Sequence, residues 1–173
     1  AIAGLLERHD RDRFEVLALS LAPGDGSDMH DRIARAVDQF VDLSMQDDRA
    51  AADHVRGLDI DILIDLNGHT QGGRPEILAY RPAPVQVSYL GYPGPMGADF
   101  VSHVMADTVV LPPQQQAFYD EKIVALPSGF WPAEPPPAIA PPPSRREAGL
   151  PDDGFVFCCF NNARKINAAM FDV

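Results

Sequence analysis

The sequence predicts an α/β protein built on a mostly parallel, doubly wound sheet. Short apolar runs typical of buried strands alternate with segments of helical periodicity, which is the pattern of that class. Two of these runs, residues 60–66 and 85–90, each end in a glycine-rich turn. Because the carboxyl ends of parallel strands form the ligand crevice of an open sheet, we expect function at these turns.

The elements of the first half follow from periodicity and turn residues. Residues 1–10 resemble the end of a helix, and residues 14–20 (FEVLALS) form a strand. After the turn at 23–26, Ser27 or Asp28 caps a helix that runs to about residue 38. A short strand at 40–43 precedes a helix at 47–56, whose inward face carries Ala51, Ala52 and Val55.

The second half repeats the alternation. The strand at 60–66 is followed by a short helix at 74–80, which must end before Pro82 because proline cannot continue a helix. Strands are predicted at 85–90, 101–106 and 122–126. A helix at 112–119 begins with proline, which suits a first helical turn.

The composition then changes over residues 127–143, where proline is dense enough to give a stiff, extended connection. We therefore predict a lobe at 1–126, a linker at 127–143 and the start of a second α/β lobe at 144–173. The second lobe is expected to contain a helical turn at 144–150, an apolar strand at 155–160, a polar loop at 161–165 and a helix from 166. The adjacent Cys158 and Cys159 are interpreted as core residues of that strand.

Composition excludes some classes of function. The net charge of −11 argues against a duplex nucleic-acid binder. No apolar run approaches the length of a membrane span, and no signal peptide is recognisable, so a cytoplasmic location is expected. Both termini fall inside helical patterns, and the chain is therefore expected to be a fragment of a larger protein.

Lys165 and His69 are the candidate chemical groups. Lys165 follows a predicted strand and precedes a helix, where free backbone N–H groups favour a phosphate or diphosphate; the alternative is a solvated lysine. His69 lies in the turn after a predicted strand and could act as a general base; the alternative is a histidine hydrogen-bonded to neighbouring backbone. No motif indicates a metal site.

Three motifs resemble the catalytic region of O-linked N-acetylglucosamine transferases and the related SPINDLY-like proteins. They are Asn67-Gly68-His69-Thr70, Arg81-Pro82-Ala83-Pro84-Val85-Gln86 and Leu90-Gly91-Tyr92-Pro93-Gly94. Residues 14–44 and 160–166 also resemble this family, so the similarity covers nearly the whole chain.

The resemblance implies a GT-B architecture, in which two Rossmann-like lobes face each other across a cleft. It implies that Lys165 contacts the donor diphosphate and that Asn162 lies beside the nucleotide, where the family usually has glutamine. The cleft loops would contain Asn67, Gly68, Thr70, Gly91, Tyr92, Pro93 and Gly94. It also implies tetratricopeptide repeats and a His-Pro motif upstream of Ala1, and the short connector between the lobes indicates a bacterial member.

The resemblance further implies an inverting transfer of N-acetylglucosamine from UDP-GlcNAc to Ser or Thr hydroxyls of proteins, without a metal or other cofactor. His69 stands where animal members have tyrosine, so a catalytic role cannot be carried over from them. Two alternatives remain: O-fucosyl transfer from GDP-fucose, and a non-catalytic module that binds nucleotide sugars or peptides. Residues 1–173 alone are expected to be inactive.

Overall fold

The computed structural model describes residues 2–134 and 140–160, together with Asn162, Arg164, Asn167 and Ala168. The chain divides into two compact units, Ala1–Glu134 and Pro135–Val173. The strands of the first unit are β1 (Leu17–Ser20), β2 (Gln39–Asp42), β3 (Ile62–Asp65), β4 (Val85–Tyr89), β5 (His103–Ala106) and β6 (Lys122–Ala125). Its helices are α1 (Ala3–Leu6), α2 (Asp28–Arg35), α3 (Asp48–Gly57), α4 (Glu76–Ala79) and a 3₁₀ helix at Pro113–Phe118.

Every strand pair in the first unit is parallel. β1 pairs with β2, and β3, β4, β5 and β6 form a four-stranded sheet in that order. Parallel neighbours require a crossover connection, and α2, α3 and α4 supply the crossovers between successive strands up to β4. The predicted α/β class with a parallel, Rossmann-like sheet is confirmed.

The helix caps were predictable from local sequence. The Ser27 hydroxyl accepts a hydrogen bond from the His30 N–H at 3.2 Å, and the Asp47 carboxylate accepts one from the Ala50 N–H at 2.8 Å. Each cap satisfies a backbone donor that the first helical turn leaves free. The predicted inward face of α3 is also confirmed, since Ala51, Ala52 and Val55 are buried.

The main core lies between the strands and one helix layer. Val41 and Leu43 pack with the buried face of α3 and with Ile77 of α4. Leu63 of β3 packs against this cluster and against a second one that contains Leu78 and Met96. The face of the sheet that Leu63 occupies is therefore the one covered by α3 and α4.

The prediction that the strand at 60–66 is buried was wrong for one of its two faces. The side chains of Ile62 and Ile64 are 55% and 44% exposed, because alternate residues of a strand point to opposite faces and only the Leu63 face is covered. The helix expected over residues 1–10 is also shorter, and α1 buries Ala3 and Gly4.

The second unit contains a hydrogen-bonded turn at residues 145–149, in which the Ala148 N–H donates to the Ser144 carbonyl at 3.0 Å. The strand predicted at 155–160 was wrong: these residues have no strand pairing, and Phe155, Phe157 and Phe160 are exposed. The core interpretation of Cys158 and Cys159 was also wrong, because both are exposed free thiols. A strand needs a neighbour to pair with, and the described residues of this unit supply none.

Most of the predicted loop at 161–165 and helix from 166 lies outside the described residues. No helix in the described part of the chain combines the length and apolar character that crossing a membrane requires.

Candidate functional site at the carboxyl edge of the sheet

The loop after β3 is organised by the last residue of that strand. The Asp65 carboxylate accepts hydrogen bonds from the N–H groups of Asn67 and Gly68 at 3.0 and 2.9 Å. The Thr70 hydroxyl donates to the Asn67 carbonyl at 2.8 Å, which closes the turn. Because side-chain bonds of this kind substitute for missing backbone partners, the loop has a defined shape where the strand ends.

The loop after β4 approaches the end of β3 closely. A Cβ atom on Gly91 would lie 2.2 Å from the Leu66 carbonyl oxygen, so only glycine fits at this position. The preceding Leu90 has a φ of 74°, in the left-handed region that a bulky side chain rarely occupies. This strained turn directs the chain from β4 across the end of β3. Backbone strain of this kind is common at functional sites.

His69 and Tyr92 join the two loops. The His69 Nε2–H donates to the Met96 carbonyl at 3.0 Å. Because a carbonyl only accepts, Nε2 carries the hydrogen, and in the neutral ring Nδ1 keeps its lone pair. The rings of His69 and Tyr92 meet edge to face with centroids 5.4 Å apart, and a Cβ on Gly68 would lie 2.7 Å from the Tyr92 Cβ.

Glu121 and Tyr119 support the second loop and were missed by sequence reasoning. The buried Glu121 carboxylate accepts a hydrogen bond from the Met96 N–H at 2.6 Å, and the Tyr119 hydroxyl donates to the Pro93 carbonyl at 2.7 Å. Burial raises the pKa of Tyr119, and the nearby Glu121 charge raises it further. Both residues lie about 25 positions along the chain from the loop, and no periodic signal links such distant segments.

Arg74 holds the first loop from the other side and was also missed. Its guanidinium donates to the Asp48 carboxylate at 2.7 Å, to the Gln46 carbonyl at 2.7 Å and to the Leu43 carbonyl at 3.2 Å. The loop is thereby fixed to the end of β2 and the start of α3. In the sequence, the only indication of this role was that a charged residue directly follows Gly73.

The structure thus brings together the predicted loop residues of the first unit. Asn67, Gly68, His69, Thr70, Gly91, Tyr92, Pro93 and Gly94 all lie in the two loops just described. Asn162 belongs to the second unit, where its side-chain oxygen accepts a hydrogen bond from the Arg164 N–H at 3.0 Å. Lys165 lies outside the described residues, so its predicted contact with a diphosphate stays a prediction.

No group of three or more His, Cys, Asp or Glu side chains is placed to hold a metal ion among the residues that the structure describes. A cavity of about 420 Å³ lies at the opposite, amino edge of the four-stranded sheet, where Ile60, Pro84 and Ser102 precede their strands. Its two arginines are already paired, Arg56 with Asp53 and Arg81 with Asp99. This cavity is separate from the two loops.

Comparison with known proteins identifies the family. The model of the family described as Glycosyl transferase family 41 matches residues 2–134, which is more than half of the 173 residues. The chain belongs to glycosyl transferase family 41. The matched region contains all of β1–β6 and both loops of the candidate site, so the predicted family resemblance is confirmed.

Named relatives support the assignment. The chain is 37% identical over 165 residues to the "Probable UDP-N-acetylglucosamine--peptide N-acetylglucosaminyltransferase SEC" of Arabidopsis thaliana, a match that covers 92% of this chain and 17% of that protein. It is 39% identical over 124 residues to the UDP-N-acetylglucosamine–peptide N-acetylglucosaminyltransferase of Caenorhabditis elegans, which covers 71% of this chain and 11% of that protein. The chain therefore spans less than a fifth of the length of these relatives.

A solved structure agrees with the fold. A mutant of the Thermobaculum terrenum O-GlcNAc transferase superimposes with a TM-score of 0.75 at 32% sequence identity, over 80% of this chain and 26% of that one. The predicted GT-B class is confirmed by this match.

Proposed function

We propose that the full-length protein is an inverting glycosyltransferase that moves N-acetylglucosamine from UDP-GlcNAc to Ser or Thr hydroxyls of proteins. The observation that carries the proposal is the family-41 match over residues 2–134, which includes the whole of the loop pair at the carboxyl edge. The relatives named for peptide N-acetylglucosaminyl transfer support the choice of donor and acceptor.

In the proposed reaction, the acceptor oxygen attacks the anomeric carbon while the bond from that carbon to the diphosphate oxygen breaks. The acceptor loses its proton, and UDP leaves with the bonding electrons. Negative charge therefore grows on the diphosphate, and Lys165, at a helix start predicted from the sequence, would stabilise the transition state more than the ground state. Asn162 is proposed to lie beside the nucleotide.

His69 is proposed to take part from the first lobe. Its hydrogen bond to the Met96 carbonyl holds the ring in one orientation and leaves the Nδ1 lone pair available as a proton acceptor. The exposed position of His69 in the loop supports access to an acceptor hydroxyl. A general base of this kind contributes about 100- to 10,000-fold to a rate.

The proposal has further parts that follow the family resemblance. Residues 1–126 would form most of the first lobe, 127–143 the linker, and 144–173 the start of the nucleotide-sugar-binding lobe. Protein acceptors would be bound through upstream tetratricopeptide repeats, and the reaction would need no metal. The protein would be bacterial and would act in the cytoplasm.

The test is a transfer assay with the full-length protein, a peptide acceptor and either UDP-GlcNAc or GDP-fucose, read by mass spectrometry of the acceptor. A mass increase of one N-acetylhexosamine with UDP-GlcNAc supports the proposal. A deoxyhexose increase from GDP-fucose would replace it with O-fucosyl transfer, the activity proposed as the alternative. Binding of donor without transfer to any acceptor would indicate a non-catalytic module.

Lys165→Ala tests the role of the lysine in the same assay. Turnover is expected to fall by at least about 100-fold, because the variant lacks the ammonium group that would donate hydrogen bonds to the diphosphate as negative charge develops on it. Lys122, an exposed residue of β6, is the other lysine of the sequence, and Lys122→Ala is the matched control that should keep normal turnover. Near-normal turnover of Lys165→Ala would show that the lysine does not stabilise the leaving diphosphate.

A further inference from the structure

The chain returns along the carboxyl edge of the four-stranded sheet after β6. Residues 127–134, here called the edge segment, are part of the compact unit Ala1–Glu134. The Phe130 N–H donates to the carboxylate of Asp107, the first residue after β5. The Phe130 carbonyl accepts a hydrogen bond at 3.0 Å from the hydroxyl of Tyr89, the last residue of β4. The middle of the edge segment therefore lies beside the carboxyl ends of β4 and β5.

Packing of the Phe130 ring holds the edge segment in place as well. The rings of Phe130 and Tyr89 meet edge to face with centroids 5.8 Å apart. The same Phe130 side chain packs against a buried cluster that consists of Val104, Ala106 and Leu111. Backbone and side chain at this position are therefore both fixed to the first unit.

Glu134 fixes the far end of the edge segment. Its carboxylate accepts a hydrogen bond from the Gly4 N–H at 3.0 Å and forms an ion pair with Arg32 of α2 at 3.2 Å. These contacts hold the pKa of Glu134 below its ordinary value of 4.5. Trp131 lies between this anchor and Phe130, so its backbone is held on both sides.

The Trp131 side chain is nevertheless 61% exposed, and it has apolar neighbours. The carboxylate that binds the Phe130 N–H, that of Asp107, also accepts hydrogen bonds at 2.8 Å from the N–H groups of Val109 and Val110. Those two valines are 87% and 40% exposed. The side chains of Val109, Val110 and Trp131 are thus grouped around one carboxylate, and we call them the β5 patch. Grouped apolar side chains on a surface are typical of interaction sites.

The β5 patch lies close to the two loops of the candidate site. The strand order β3-β4-β5 places the end of β5 one strand from the end of β4 and two strands from the end of β3. Since neighbouring strands are about 4.8 Å apart, the patch lies roughly 10 Å along the carboxyl edge from the loop that contains His69. The patch and both loops therefore share one edge of the sheet.

We propose that the β5 patch binds an apolar side chain of the acceptor polypeptide, a role that rests on the proposed transferase function. The proposed donor contacts, Asn162 and Lys165, fall in residues 135–173, which leaves the carboxyl edge of the first unit for the acceptor. An extended polypeptide advances about 3.3–3.6 Å per residue. The side chain that reaches the patch is therefore about three residues from the modified Ser or Thr.

The chemistry of the β5 patch favours an apolar partner over a charged one. The Asp107 carboxylate at its centre is occupied by three N–H donors, so the patch contacts its partner through the side chains of Val109, Val110 and Trp131. A tryptophan whose backbone is already fixed loses little conformational entropy on binding, and tryptophan is enriched among the residues that dominate binding energy. Trp131 is therefore expected to contribute most of the affinity.

The test measures the binding of dye-labelled peptides to the full-length protein in the presence of UDP. One short peptide has a single central serine with a leucine about three residues to either side, and the second has glycine in place of both leucines. The wild type is expected to bind the leucine peptide about tenfold more tightly. Trp131→Ala should reduce this ratio to about twofold or less, whereas Trp131→Phe should keep most of it.

Tyr80→Ala is the matched control, because Tyr80 is an aromatic residue 46% exposed at the end of α4 and outside the β5 patch. It should leave the leucine-to-glycine ratio unchanged. An unchanged ratio in Trp131→Ala, or a wild type without preference for leucine, would overturn the proposal. So would a melting temperature of Trp131→Ala lowered by about 5 °C or more with both peptides weakened equally, because the patch would then pack against another part of the full-length protein.

A transfer assay with the same peptides separates this inference from the proposed function. Trp131→Ala should raise the KM for the leucine peptide about tenfold and leave the KM for UDP-GlcNAc within about twofold of the wild type. A raised KM for UDP-GlcNAc alone would assign the β5 patch to the donor and overturn the proposal. If the wild type transfers no sugar, the proposed function fails, and the binding comparison still decides whether the patch takes an apolar side chain of a polypeptide.

Discussion

His69 Nε2 lies 3.0 Å from the carbonyl oxygen of Met96, and this hydrogen bond joins the loop after β3 to the loop after β4. The same Met96 peptide segment is held from the other side, because its N–H donates to the buried Glu121 carboxylate at 2.6 Å. The second loop is therefore held from two sides, by residues 27 and 25 positions away in the sequence. This contact fixes the Nε2 side of the His69 ring, and Nδ1 remains available as a proton acceptor.

His69→Gln separates the two roles of the histidine. The Gln side-chain nitrogen can reach the Met96 carbonyl in place of Nε2, whereas the acceptor at Nδ1 is lost. We expect turnover of the full-length protein to fall about 100-fold while its melting temperature changes little. Turnover within twofold of the wild type would show that His69 serves only to join the loops.

Gly91→Ala should destabilise the first unit. The added Cβ would lie 2.2 Å from the Leu66 carbonyl oxygen, and backbone on both sides would have to move. We expect the free energy of unfolding, measured by urea denaturation, to fall by at least about 2 kcal/mol. Gly57→Ala is the matched control: no atom lies within 4 Å of its added Cβ, and alanine in α3 should raise stability by about 0.5–1 kcal/mol. Equal effects of the two changes would contradict the packing described at Gly91.

Arg74→Lys should loosen the loop after β3. The guanidinium reaches Asp48, Gln46 and Leu43 at once, whereas a lysine ammonium is a single point charge and cannot span the same three acceptors. Urea denaturation should show a loss of about 1–3 kcal/mol.

Arg49→Lys is the control for Arg74, because Arg49 is an exposed arginine in the first turn of α3. Its effect on the free energy of unfolding should stay within about 0.5 kcal/mol. If Arg74→Lys costs no more than this control, the three contacts do not hold the loop.

Asp107 should contribute to the pH dependence of stability. Its carboxylate accepts hydrogen bonds from the N–H groups of Val110, Val109 and Phe130, and these donors hold its pKa below the ordinary value of 3.8. Since the pKa is lower in the folded state, the stabilisation is present above 3.8 and is lost as the pH falls through the folded value.

Asp107→Asn removes this titration. The free energy of unfolding of the variant should therefore fall less steeply than that of the wild type as the pH is lowered below about 4. Asp120→Asn removes an exposed carboxylate from the loop before β6 and serves as the control. Identical pH profiles for Asp107→Asn and the wild type would contradict the assignment.

Local patterns were sufficient to predict most elements and the two loops of the candidate site. The hydroxyl of Ser27 and the carboxylate of Asp47 mark helix starts because capping is a contact between residues three apart. The glycine-rich turns mark strand ends for a similar reason, since the backbone shape at Gly91 restricts which residue can stand there. The parallel class followed from the alternation of strands and helices.

Other features depended on contacts between distant parts of the chain. The apolar run at 155–160 carries every local sign of a strand, yet it is exposed because a strand forms only beside a partner, and the described residues of its unit provide none. The exposure of Ile62 and Ile64 likewise depends on which face of β3 the rest of the unit covers, and the strand's own sequence does not show this.

By itself, the sequence determined the α/β class, the family, and the two loops in which His69 and Gly91 lie. The tertiary structure decided that Met96 is held between His69 and Glu121, and that Arg74 fixes the first loop to β2 and α3. The physical reason is the distance along the chain over which each interaction acts. Backbone conformation, capping and periodicity act within a few residues, whereas a hydrogen bond between segments depends on how the whole unit packs.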